Sequence, residues 1–232
     1  TFSVNFEPLK MRIAGFMEKA CLEEEIVPEL KSFLDALEKS SLEADYYLQK
    51  IFKENKARPE SLRLFFRFFP QDLAVFIESL KKKSGDLEFL KEVMEGLTGV
   101  PPESSLEILK SIFPYSHLLV KIEILKAMRK ISLKDRKFLL FLLNGKDITI
   151  RRESFLALAD EPRTREEAFN ALLGIKSKSL IIMENLNFIR ETGKLSGAGP
   201  YLEKLVKRRF FWNNELRKTA QEALEELNGA KY

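Results

Sequence analysis

The 232-residue chain is 45% apolar and 32% charged, long enough for one large or two small domains and for burying roughly 70% of the surface its unfolded form exposes. These proportions exclude a disordered polyelectrolyte, and no stretch approaches the ~20 uncharged apolar residues that a bilayer-spanning helix needs. A single cysteine, Cys21, forbids an intrachain disulfide, and a single histidine, His117, cannot build the His/Cys clusters that hold zinc or iron, so no metal or other cofactor is expected.

Basic residues exceed acidic ones only slightly, 39 to 35, but unevenly. Residues 1–60 carry 9 basic and 12 acidic side chains, and the remainder carries 30 and 23. Glutamine is scarce beside abundant Lys and Glu, a skew found in heat-adapted proteins. The N-terminal Thr1-Phe2-Ser3-Val4-Asn5 has no initiator methionine and no leader pattern, which suggests a cytoplasmic segment of something longer.

Along the chain, three helices are expected near 6–22, 27–39 and 42–55. Further helices follow at Glu103–Phe113, Ser116–Ile131, Lys134–Leu143 and Thr164–Ile175, separated by breaks such as Pro101-Pro102 and Glu161-Pro162-Arg163. No alternating Val/Ile/Thr run bounded by turns occurs, so the chain reads as all-α. Breaks of two to four residues force neighbouring helices to be antiparallel.

A repeat organises residues from 58 onward. The string Leu216-Arg217, Ala220, Ala223-Leu224, Leu227 recurs as Ile150-Arg151, Ser154, Ala157-Leu158 and, less closely, from Val120, Ile181, Phe89 and Arg58. Its starts are 30, 31 or 35 residues apart. At about 100° per residue, positions 0, 4, 7, 8 and 11 share one helix face, and small residues at 4 and 7 admit a close partner helix. Position 5 is apolar (Met94, Leu125, Phe155, Leu186) until it becomes Gln221 in the last copy, as expected where an array ends.

This string resembles the second helix of HEAT repeats. The resemblance implies a right-handed α-solenoid of stacked antiparallel hairpins over 58–232, with residues 1–57 as an N-terminal helical cap. It also implies that the arginine at template position 1 bonds an acidic residue of a neighbouring repeat, for which Asp147, Glu153, Glu184 and Glu215 are close enough in sequence.

No catalytic constellation emerges. His117 sits in a break between helices, Cys21 lies on an apolar helix face, and Gly197-Ala198-Gly199-Pro200 follows no strand and lacks the Gly-Lys-Ser/Thr of a phosphate loop. The candidate binding residues are basic. Lys121, Arg151, Arg152, Arg217 and Lys218 begin the template helices and would align as a basic row. Lys204, Lys207, Arg208 and Arg209 run up to the only tryptophan, Trp212, mixing charge with aromatic rings as polyanion sites do. The expected function is that of a non-enzymatic protein-interaction scaffold, such as the repeat region of a larger bacterial signalling protein. The alternative is a nucleic-acid-binding HEAT-like protein that uses the basic surface near the C-terminus.

Overall fold

The computed structural model describes residues 44–53, 59–174, 178–207 and 214–229. The first two helices expected from the sequence, Cys21, Arg208, Arg209 and Trp212 lie outside them, as does the expected domain boundary at 57/58. The described residues form twelve α-helices, three single-turn 3-10 segments and no strand. They fall into two compact units that meet at Leu133/Lys134.

The first unit holds α1 (Ala44–Lys53), α2 (Pro59–Phe68), α3 (Leu73–Lys82), α4 (Leu87–Gly96), α5 (Pro102–Ile112) and α6 (Leu118–Lys130). Helix starts follow from local chemistry. The Asp86 carboxylate accepts from the Phe89 N–H at 3.1 Å and caps α4, and Pro102 opens α5, where a missing N–H costs nothing. Helices α2, α4 and α6 pack in one row, and α1, α3 and α5 in another, each helix against the next but one.

This unit is held together by aromatic rings. Phe76 is fully buried, with its ring centroid 4.9 Å from Phe66, 5.2 Å from Phe52 and 5.5 Å from Phe65. Each such pair adds about 0.5–1.5 kcal/mol beyond the burial of area. Gly96 lets α4 close onto α2, since a Cβ there would collide with the fully buried Leu62 and come within 3.3 Å of the Pro59 backbone. Phe65, where the template has a small residue, is fully buried, as is Leu62.

The second unit holds α7 (Arg136–Leu143), α8 (Ile148–Leu158), α9 (Pro162–Leu173), α10 (Ser179–Glu191), α11 (Gly199–Val206) and α12 (Asn214–Gly229). Asp135 caps α7 and Asp147 caps α8, the latter accepting from the Thr149 and Ile150 N–H groups at 2.8 and 3.0 Å. Before α11 the chain turns at Gly197, whose φ of +89° excludes most side chains. Helices α7, α9 and α11 form one row and α8, α10 and α12 the other, and consecutive helices pair as hairpins: α7 with α8, α9 with α10, α11 with α12.

Charged links join neighbouring hairpins of this unit. Arg136 bonds Glu167, Arg151 bonds Glu184, Arg190 bonds Glu222, and Lys194 bonds Asp160, at separations of 31, 33, 32 and 34 residues. Arg190 also bonds Glu226 and Arg152 bonds Glu191, so the links cluster near the interval of the sequence repeat without all falling on it. In the first unit, the ion pairs among described residues that join Lys81 to Glu78, Lys91 to Glu88 and Lys126 to Glu123 stay within one helix.

Candidate functional site

The predicted basic row begins three of the template helices, and the structure treats its members differently. Arg151 is only 3% exposed. Its Nε donates to Asn185 Oδ1 at 2.9 Å, Nη1 to the carbonyls of Gly145 and Lys146 at 3.0 and 2.9 Å, and Nη2 to Glu184 Oε2 at 3.0 Å. Four of the five guanidinium N–H groups are thereby engaged, so this arginine ties α8, its preceding turn and α10 together. Of the four acids considered for it from the sequence, Glu184 pairs and Asp147 instead caps α8.

The remaining members each have their own surroundings. Lys121 is half-buried, its Nζ 5.4 Å from the Phe113 ring centroid. Arg152 pairs with Glu191 at 3.2 Å. Arg217 is exposed and donates through Nε to the Val206 carbonyl at 3.1 Å, which puts it beside Lys207 at the end of α11. Lys218 is exposed, and Lys204 is exposed near the Tyr201 ring. Template position 1 is buried at Leu90, Arg151 and Ile182 alike, so in these three helices it faces the interior.

Sequence reasoning missed Asn185. This residue is buried, and its Nδ2 donates to the Leu172 carbonyl at 2.9 Å while its Oδ1 accepts from Arg151, so one amide links α8, the end of α9 and α10. An Asn where the template has a small residue was the available signal.

A hollow of about 230 Å³ opens over this network, lined by Lys146, Arg151, Ile181, Glu184 and Asn185 among others. A smaller one of about 110 Å³ lies in the first unit between α4 and α6, with Lys91, Met94, Glu95, Glu123, Lys126 and Lys130 on its walls. Neither brings together a nucleophile and a base. Among the described residues, no group of three or more His, Cys, Asp or Glu side chains is placed to hold a metal ion, and no helix is long and apolar enough to cross a membrane.

The shifted titrations accompany structural contacts. The hydrogen bond from Arg190 holds the Glu226 carboxyl below its ordinary range, and Glu226 in turn raises the Arg190 guanidinium. Burial, with help from the Glu166 charge, raises the Tyr201 phenol, whose hydroxyl donates to the Glu166 carbonyl at 3.3 Å. Compared with protein families, curated proteins and solved structures, the chain matches none.

Proposed function

We propose that the chain is a non-enzymatic protein-interaction scaffold, with HEAT-like hairpins of right-handed α-solenoid type from residue 58 onward, working in the cytoplasm as part of a larger signalling protein. The supporting observation is the spacing of the charged links in residues 134–232. Contacts between consecutive hairpins recur along the unit at separations of 31–39 residues, an arrangement that extends a surface rather than closing a cleft. Such surfaces suit extended macromolecular partners.

The nucleic-acid reading draws support from Lys204, Lys207, Arg217 and Lys218, all exposed on α11, α12 and the end of α11. One experiment separates the two readings. Fluorescence anisotropy of the chain against labelled single- and double-stranded oligonucleotides at two salt concentrations gives no binding if the chain is a protein scaffold. Binding that weakens steeply with salt would transfer the function to phosphate recognition. The scaffold reading is then tested directly by chemical cross-linking in cells, followed by reconstitution with the purified cross-linked protein.

A further inference from the structure

The first turns of α8 and α10 carry large apolar side chains that neighbours cover only in part: Ile148 is 43% exposed, Leu180 62% and Ile181 36%. The Arg151–Glu184 pair holds these turns side by side, because Ile148 lies three residues before Arg151 and Leu180 four before Glu184. Ile181 and Lys146 line the same hollow.

The charges around this edge are unequal. Other cations that link hairpins in this unit are matched, Arg152 by Glu191 and Lys194 by Asp160. Of the two acids at the edge, Glu184 faces Arg151, and the Asp147 carboxylate accepts from two backbone N–H groups. Lys146 and Lys178 are exposed, and no carboxylate among the described residues pairs with either. Lys178 also precedes a 13-residue helix whose N-terminus has no side-chain cap, which adds a partial positive charge of the same sign.

We propose that this edge docks a short acidic segment of a partner protein, seating a large aliphatic side chain against Ile148, Leu180 and Ile181 while flanking carboxylates meet Lys146 and Lys178. The proposal rests on the scaffold reading and names the place and chemistry of its partner. A central apolar anchor with charges at the rim is how short segments gain affinity from a small area. The positive rim sets the sign of the partner and speeds encounter.

The test selects short random peptides from a display library on the intact chain and measures the enriched peptides by fluorescence anisotropy. The expected consensus is a Leu, Ile or Phe flanked by Asp or Glu. The double variant Lys146→Glu/Lys178→Glu and the single variant Leu180→Asp should each weaken binding about tenfold or more with an unchanged melting temperature. All three positions are exposed, so the folded state is retained. Enriched peptides that bind both variants as well as the parent overturn this site while leaving the scaffold reading intact. Failure to enrich any acidic-aliphatic peptide overturns the proposal as well. Oligonucleotide binding that the double variant abolishes also overturns it, by replacing the acidic peptide with a phosphate backbone.

Discussion

Arg151 and Asn185, 34 residues apart in sequence, meet through a buried hydrogen bond in which the guanidinium Nε donates to the amide oxygen at 2.9 Å. The amide nitrogen of Asn185 continues the chain of donors to the Leu172 carbonyl. One arginine and one asparagine thus hold two neighbouring hairpins together.

Replacing Arg151 by Ala leaves Asn185 Oδ1 and two loop carbonyls without their donor and Glu184 without its counter-charge. The expected loss is about 3–5 kcal/mol, read as a lower denaturant midpoint for residues 134–232. Arg151→Lys should recover less than half of it, because an ammonium cannot reach acceptors arranged around a planar fork.

Gly96→Ala is expected to destabilise the first unit by about 1–3 kcal/mol, since the added methyl meets Leu62 inside a filled interface. Thermal melts of Gly96→Ala, Leu62→Ala and the double variant check this. The double variant should be more stable than the sum of the two losses allows, because one substitution makes room for the other.

Phe76→Ala removes a ring that packs on Phe52, Phe65 and Phe66. A cost of about 3–5 kcal/mol is expected from the cavity and the lost ring contacts. Phe76→Leu keeps much of the volume and should cost less than half as much in the same urea titration.

Acid should loosen α12 from α10. The Glu226 carboxyl is held below its ordinary value by Arg190, so its contribution is fully present above the unfolded-state pKa of about 4.3 and fades as pH falls through the lower folded value. Amide exchange in α12 should therefore accelerate as pH falls below about 4, after correction for intrinsic rates, and Glu226→Gln should flatten that dependence.

Much of the fold was legible because one periodic string carries it. Val120, Ile124 and Met128 are buried as the helical period requires, and so are the apolar residues Met94, Leu125, Phe155 and Leu186 at position 5. Gln221, the polar exception at that position, is exposed and donates to Glu225. The site was less legible. A basic residue at the head of a helix looks like surface charge, and only the packing of α10 against α8 reveals that Arg151 is enclosed while Arg152, one residue on, reaches the exposed Glu191. In α10 the expected positions Asn185, Phe188 and Ile189 are buried, and only the first, Ile181, is exposed, with Ile182 enclosed beside it. The exposed edge at Leu180 was missed because Leu180 and Ile148 lie just before the template copies that start at Ile181 and Ile150.

The two kinds of cement have different solvents to fear. Stacked phenylalanines gain from salts that salt out hydrocarbon, whereas half-exposed pairs such as Arg190–Glu226 and Lys194–Asp160 are screened by any electrolyte. Sodium chloride should therefore weaken the half-exposed links between hairpins of residues 134–232 while sparing the ring contacts of both units. The ionic strength of the surrounding solution thus sets how firmly these pairs hold.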